Sequence, residues 1–176
     1  MEQMLELARR MGFQNAVLVN TEDVPFEPSF RKYCEDNLCG NYNASWSCPP
    51  ACGTPEEMKA KVLAYPRALL LHTVWELDYR DGSAVKQAKN THNRRMMDLM
   101  AELQNTRGFM IGSSVCGLCE TCTMEEGKPC RLPEQMASCM SAYCIYVKKL
   151  TDACGLEYDS GEGMINFFGM YVFEEI

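Results

Sequence analysis

Three cysteines, Cys116, Cys119 and Cys122, stand at intervals of three residues, and Cys130 follows after seven more residues. Such spacing wraps a short loop around a group that takes several sulfurs from one side. A cuboidal iron–sulfur cluster suits this loop, because each thiolate binds a different iron. A single zinc ion needs four tetrahedral ligands and usually takes them as two pairs from separate segments. The run therefore favours a [4Fe–4S] cluster, with zinc and unmetallated thiols as the alternatives.

Another group of cysteines, which we call the first group because it comes earlier in the chain, has the spacing C-x4-C-x8-C-x3-C. Its members are Cys34, Cys39, Cys48 and Cys52. Four thiols are a complete ligand set for a cluster or for a zinc ion. The glycine and asparagines between them indicate a loop, and Pro49 and Pro50 stiffen the backbone there. We expect a second metal centre; the alternative is free cysteines buried like small apolar residues.

Composition limits the class of protein. The chain has 176 residues, of which 47% are hydrophobic, and this fits one metal-binding domain over 1–176 with an ordinary core. The first dozen residues lack the apolar stretch of a secretory signal, and no run approaches the ~20 apolar residues of a membrane helix. We therefore expect a soluble, cytoplasmic protein. Eleven cysteines in a reducing compartment indicate metal binding rather than disulfides.

The net charge of −7 disfavours nucleic acid and anionic membranes as partners, because phosphate binding requires a basic face. The nearest candidate for such a face is a basic cluster on a predicted helix, which we interpret as a solvated helix surface. It consists of Lys86, Lys89, Arg94 and Arg95. Thiolate clusters would add negative charge, which suits a cationic redox partner.

The chain has two histidines. His72 lies within an apolar run and is predicted to be a hydrogen-bonded core residue. His92 has polar neighbours on a predicted helix and is predicted to be solvated. Catalysis by a nucleophilic cysteine would need one of these histidines as its partner, so the sequence gives little support for it.

The pattern of apolar residues predicts an α/β sandwich, with a sheet of about four strands flanked by helices and two cysteine-rich loops. Thr54 and Glu57 form a predicted capping box at the start of one helix. Helices are predicted over 2–11, 54–65, 83–106 and 147–153, with a weak helical tendency over 134–145. Strands are predicted over 16–20, 68–77, 109–115 and 165–173. The order of the strands is not predicted.

Together these motifs resemble a family of predicted metal-binding proteins, domain of unknown function 2284. The resemblance covers most of the chain. It rests on Cys34 with Cys39, on Ser47-Cys48-Pro49-Pro50 followed by Gly53-Thr54, on the Cys-x2-Cys-x2-Cys run, and on Cys130-Arg131-x-Pro133-Glu134. It implies metal or iron–sulfur binding through the eight cysteines of the two groups. It implies no particular reaction.

The chain departs from the family pattern after Glu134, where a serine-methionine-glutamate-alanine segment and then a glycine are expected. Cys139-Met140-Ser141-Ala142 stands in place of that segment, and Cys144 stands in place of the glycine. Cys154 has no counterpart in the pattern either. We therefore predict that Cys139, Cys144 and Cys154 are not ligands.

These observations favour an iron–sulfur protein with two [4Fe–4S] centres that exchanges electrons with a redox partner protein or a small molecule. A non-redox binding module with structural zinc is the alternative. An iron–sulfur enzyme would need a cluster with one open iron, and two complete sets of four cysteines argue against it. Arg131 is predicted either to offset cluster charge or to form a surface ion pair. Cys130 can serve either centre, since in two-cluster ferredoxins the last cysteine of such a run binds the other cluster.

Overall fold

The strand β2 (Arg67–Glu76) lies inside a four-stranded sheet in the computed structural model, which describes residues 1–103 and 106–174. Its residues 68–73 are all buried. The four strands are antiparallel and have the order β1-β2-β4-β3. The other strands are β1 (Asn15–Asn20), β3 (Gly108–Ile111) and β4 (Met164–Phe173). The prediction of a mixed α/β fold with about four strands is confirmed.

Five α-helices accompany the sheet in the described part of the chain. They are α1 (Glu2–Arg10), α2 (Arg31–Glu35), α3 (Pro55–Leu63), α4 (Gly82–Glu102) and α5 (Val147–Ala153). Three short 3₁₀ turns span Thr21–Asp23, Pro28–Phe30 and Thr123–Glu126. Within residues 1–103 and 106–174, none of the helices has the length and apolar character needed to cross a membrane.

Helices cover both faces of the sheet, so alternate residues of β2 enter two different cores. On one face, Leu69 packs in a cluster with Leu99 of α4 and Ala8 of α1. On the other face, Leu70 packs in a cluster with Val62 of α3 and Leu150 of α5. Burial on both faces explains why β2 reads as a continuous apolar run rather than as an alternating one.

The capping box predicted at the start of α3 is confirmed. The Glu57 amide donates to Thr54 Oγ1 at 3.2 Å, and the Thr54 amide donates to Glu57 Oε2 at 2.8 Å. Pro55 occupies the first turn, where its missing N–H costs nothing. Because Cys52 stands two residues before Thr54, this cap fixes the point at which the first group of cysteines ends.

Strand β3 is shorter than predicted and ends at Ile111. The reason lies elsewhere in the chain: the Gly112 amide donates to Ser138 O at 2.9 Å, and the Met140 amide donates to Gly112 O at 3.0 Å. Gly112 therefore pairs with a distant segment rather than continuing beside β4, which frees residues 113–115 to leave the sheet.

The weak helical tendency predicted over 134–145 is wrong, because this segment forms turns. The Ala142 amide donates to Cys139 O at 2.9 Å, and the Cys144 amide donates to Ser141 O at 3.0 Å. Cys144 has a positive φ of 55°, which an α-helix does not accommodate. Helix α4 ends at Glu102, earlier than predicted; positions 104 and 105 of the predicted helix lie outside the described residues.

Of the predictions made for the two histidines, one is confirmed and the other is wrong. His72 is 2% exposed, with Nδ1 3.0 Å from Asn15 Nδ2 and Nε2 2.7 Å from Asn166 Oδ1, which confirms the prediction of a hydrogen-bonded core residue. The prediction that His92 is solvated is wrong, because this residue is completely buried. It stands four residues before the buried Met96 on α4, so it belongs to the apolar stripe of that helix.

Candidate metal centres

Helix α4 holds the start of the second cysteine loop, which we define as residues 116–130. Asn93 Oδ1 accepts from the Ser113 amide at 3.0 Å and from the Ser113 hydroxyl at 2.9 Å. Asn93 Nδ2 donates to Ser114 Oγ at 2.7 Å. Because Ser114 precedes Cys116 by two residues, one side chain on a long helix positions the first thiol of this loop.

All four cysteines of the second cysteine loop line one cavity of about 160 Å³; they are Cys116, Cys119, Cys122 and Cys130. After Cys122 the chain makes a 3₁₀ turn that ends at Gly127, whose φ of 65° favours glycine. Thr123 Oγ1 donates to Pro129 O at 2.9 Å and closes the turn. This reversal returns Cys130 to the cavity that the first three thiols line.

The sulfur of Cys122 lies among hydrogen-bond donors. Burial raises the pKa of this thiol, but the amides of Met124 and Trp46 and the hydroxyl of Ser45 outweigh burial and lower the pKa below its usual value. Donors directed at a sulfur stabilise the thiolate, which is the form that binds metal. Cys122 is therefore prepared to act as a ligand.

The first cysteine loop, which we define as residues 34–52, presents its thiols at different depths. Cys34 lies on α2, Cys39 is exposed, and Cys48 is 5% exposed. These three cysteines line a cavity of about 870 Å³. Cys52 is partly buried and packs against the core that contains Val62. The Cys52 amide donates to Cys48 O at 3.1 Å, so a single turn links the last two cysteines.

Buried thiols of the first loop resist ionisation. Burial, with a smaller contribution from the charge of Cys139, raises the pKa of Cys34 to about 11 and that of Cys48 to about 12. Burial also raises the pKa of Cys52. These thiols are protonated at neutral pH unless a cation binds them, so metal binding at this loop would release protons.

The two cysteine loops contact each other. The Cys116 amide donates to Ser47 Oγ at 3.1 Å, and Ser47 immediately precedes Cys48. Trp46 Nε1 donates to Lys128 O at 3.0 Å. Cys116 and Cys119 line the 870 Å³ cavity of the first loop as well as the 160 Å³ cavity of the second. The two groups of thiols are therefore neighbours with a shared wall.

Arg31 is a functional candidate that the sequence reasoning missed. It is 8% exposed; its Nη1 donates to Gly53 O at 3.0 Å and its Nη2 donates to Ala142 O at 2.8 Å. Its Nε has no hydrogen-bond partner, and no carboxylate pairs with it, within residues 1–103 and 106–174. The spacing of Arg31 three residues before Cys34 in a helix was the signal that could have found it.

Arg31 lies near the thiols of Cys34 and Cys52 as well as the two carbonyls. Its positive charge lowers the pKa of Cys34 and Cys52, against the larger opposing effect of burial on each. A buried cation is costly unless an anion compensates it. Thiolates bound to a metal, or to an anionic cluster, would supply that compensation, so the residues present fit a metal centre at the first loop.

Arg131 has the surface role that was one of its two predicted alternatives. Its side chain is about half exposed, with Nη2 3.6 Å from Glu126 Oε1 and Nη1 donating to Thr121 O at 3.1 Å. It also lines the 160 Å³ cavity of the second cysteine loop, so its other predicted role, to offset cluster charge, stays a prediction.

The basic cluster predicted to form a solvated helix face is only partly solvated, because Lys86 and Arg94 are exposed whereas Lys89 and Arg95 are partly buried. Lys86 and Lys89 line the 870 Å³ cavity together with the thiols of the first loop. Arg95 Nη1 donates to Gly12 O at 2.7 Å, and its guanidinium lies 5.2 Å from the Trp75 ring centroid. Two lysines of α4 thus give one wall of the cavity a positive charge.

Side chains are not drawn together around a single ion: no group of three or more His, Cys, Asp or Glu side chains in the described ranges is positioned to hold one. Seven of the eight predicted ligand cysteines line one or both of the 160 Å³ and 870 Å³ cavities, and Cys52 lines neither. Their assignment as ligands stays a prediction.

The chain thus has a mixed α/β fold with two cysteine loops, and Cys116 and Cys119 line the cavities of both loops. The family model for predicted metal-binding proteins (DUF2284) matches residues 17–173 of the 176, so this chain belongs to that family. The matched range contains both cysteine loops and all four strands except the first two residues of β1. No curated protein and no solved structure matches the chain significantly.

Proposed function

We propose that this chain is an iron–sulfur redox protein with two [4Fe–4S] centres, one at each cysteine loop. The observation that carries this proposal is the shared wall between the two groups of thiols, formed by Cys116 and Cys119. Two separate structural zinc sites have no need to adjoin. Two redox centres gain from adjoining, because an electron that enters at one can pass to the other.

The second cysteine loop supports iron–sulfur chemistry through its spacing and its donors. The C-x2-C-x2-C run is the spacing found in bacterial ferredoxins, where each thiolate binds a different corner of a cluster. Hydrogen bonds to ligand sulfurs tune cluster potentials, and Cys122 receives them from two amides and a hydroxyl. When bound, each cluster would supply a one-electron couple.

The residues of this chain have distinct roles in that function. Arg31 compensates the negative charge gathered at the first loop, and Ser47 holds Cys116 next to that loop. Lys86 and Lys89 give the 870 Å³ cavity a cationic wall where a small anionic electron donor or acceptor would bind. The net charge of −7 suits a cationic redox partner protein on the outer surface.

Optical spectroscopy on anaerobically purified protein tests the proposal. We expect a brown protein whose broad visible absorption bleaches with dithionite and returns on reoxidation. Cys119→Ser should lower that absorption, whereas the matched control Cys154→Ser, at a cysteine outside both loops, should leave it unchanged. A colourless preparation that contains zinc would instead support structural zinc sites, and it would overturn the redox function.

A further inference from the structure

Cys139 is held in place by a bridge to the residue that follows β3, as well as by the turn that it begins. It forms an isolated bridge with Gly112, the first residue beyond β3. The Gly112 amide donates to Ser138 O at 2.9 Å, and the Met140 amide donates to Gly112 O at 3.0 Å. These two bonds flank Cys139 and fix its backbone near the start of the second cysteine loop.

The turn that Cys139 begins is fixed by hydrogen bonds to its carbonyl oxygen. The Ala142 amide donates to Cys139 O at 2.9 Å, and the Tyr143 amide donates to the same oxygen at 3.3 Å. Together with the bridge to Gly112, these bonds set the point at which the Cys139 side chain leaves the backbone.

Cys139 and Cys39 both line the 870 Å³ cavity, together with Cys34 and Cys48, but they differ in exposure. Cys39 is exposed, whereas Cys139 is partly buried.

Arg31 links the segments that carry these thiols. Helix α2 contains both Arg31 and Cys34. Nη1 of Arg31 binds the carbonyl of Gly53, the residue after Cys52, and Nη2 binds the carbonyl of Ala142, in the turn that Cys139 begins. One buried guanidinium thus joins three thiol-bearing segments, and its Nε has no partner among the described residues.

We propose that Cys139 is a ligand of the first metal centre, where it completes a set with Cys34, Cys48 and Cys52, and that Cys39 lies outside the set. This inference rests on the proposed function in requiring a metal centre at the first loop. Cys144 is not part of the set, because its sulfur is directed to Pro28 O at 4.0 Å. The ligand set therefore draws on the 134–145 segment as well as on the first cysteine loop.

Metal analysis of three single variants tests the ligand set in the full chain, purified anaerobically. Cys139→Ser should reduce the iron and sulfide content to about half that of the wild type, because one of two centres is lost. Cys39→Ser and Cys154→Ser should retain the wild-type content. Half-loss in Cys39→Ser with full retention in Cys139→Ser would overturn the inference.

Alkylation of the wild type keeps the inference testable if Cys139→Ser fails to fold. Native protein is treated with iodoacetamide before and after removal of metal by a chelator, and the modified peptides are identified by mass spectrometry. We expect Cys139 to be protected only while metal is bound, and Cys39 to react in both states. Equal modification of Cys139 in both states would contradict its role as a ligand.

The two proposals fail in different ways. Wild-type protein without any bound metal would overturn both. Metal-loaded wild type with a fully loaded Cys139→Ser variant would overturn the ligand set alone. Loss of half the zinc from a zinc-loaded protein on Cys139→Ser would support the ligand set and overturn the redox function.

Discussion

A buried arginine beside several thiols defines the chemistry of the first cysteine loop. Arg31 is 8% exposed and donates to two backbone carbonyls, yet no carboxylate in the described residues neutralises it. A cation removed from water needs an anion nearby, and in the proposed function metal-bound thiolates would be that anion. Arg31 would then act both on the local fold and on the charge of the proposed centre.

Arg31→Met should destabilise the protein and loosen the first centre. The carbonyls of Gly53 and Ala142 lose their donors, which we expect to lower the free energy of unfolding by about 2 kcal/mol or more. Iron release to a chelator should also be faster than in the wild type, and Arg31→Lys should fall between the two because it keeps only the charge. Chemical denaturation and the rate of chelation measure these effects.

Arg131→Met is the matched control for this comparison. Arg131 is about half exposed and its ion pair is on the surface, so the change in the free energy of unfolding should stay below about 0.5 kcal/mol. Equal destabilisation by Arg31→Met and Arg131→Met would show that Arg31 has no special role.

His92 should make stability depend on pH. Burial, aided by the charges of His72 and Arg95, lowers the pKa of His92 to about 3. The unfolded chain binds a proton at this residue below about pH 6.5, and the folded protein does not. The contribution of His92 to the free energy of unfolding is therefore complete above about pH 6.5. It is lost as the pH falls toward about 3, by at most about 1.4 kcal/mol per pH unit.

Replacement of His92 by glutamine tests this dependence. Glutamine keeps a polar group near Thr73, whose Oγ1 lies 2.8 Å from His92 Nδ1, but it cannot take up a proton. Between pH 7.5 and 5.5, the wild type should lose more thermal stability than His92→Gln. A difference in Tm between the two proteins that does not change with pH would contradict the expected sign.

The sequence contains enough information to predict the burial of some of these residues. His72 lies in an apolar run, and its buried, hydrogen-bonded state follows from that run. The burial of His92 was also readable, because it shares a helical stripe with Met96 and Leu99. The position of Cys139 beside Cys34 was not readable, since it depends on a contact between segments more than a hundred residues apart.

At the scale of elements, helix α4 positions the second cysteine loop through Asn93. We expect Asn93→Ala to free residues 113 and 114 and to speed the release of iron from the second centre, although no ligand is removed. The change in unfolding free energy should be about 1–3 kcal/mol, because three hydrogen bonds are lost. Chelation kinetics of the anaerobic protein measure the effect on the centre.

Asn90→Ala is the control for Asn93→Ala. Asn90 lies about one turn earlier on α4 and, like Asn93, lines a cavity of about 330 Å³ next to Cys116, but the structure gives it no hydrogen bond to the loop. Iron release from Asn90→Ala should match that of the wild type. Equal rates of iron release from the two variants would show that Asn93 of α4 does not position the second cysteine loop.

Elements set by local signals were predictable, and those set by distant pairing were not. The capping box at Thr54 and the apolar runs of β2 and β4 involve neighbours in sequence, and the structure has them within a residue or two of the predicted bounds. The early end of β3 depends on Gly112 pairing with residues 138–140. The strand order requires β4 to enter between β2 and β3, which single strands do not encode.

At the scale of the whole molecule, the two cysteine loops should act as one redox unit. Because Cys116 and Cys119 line both cavities, two reduced clusters would lie close enough to interact magnetically. We expect the electron paramagnetic resonance spectrum of the fully reduced wild type to show this interaction. Cys48→Ser, which removes a buried cysteine of the first loop, should leave the simpler spectrum of a single centre. A wild-type spectrum that is a plain sum of two isolated centres would mean that the clusters do not adjoin.

Quantitation of iron, acid-labile sulfide and zinc in anaerobically purified wild-type protein decides whether this molecule is an iron–sulfur protein. Two [4Fe–4S] clusters require about eight iron and about eight sulfide per chain, with zinc near zero. About two zinc per chain with neither iron nor sulfide would contradict the iron–sulfur assignment and leave two structural zinc sites in its place.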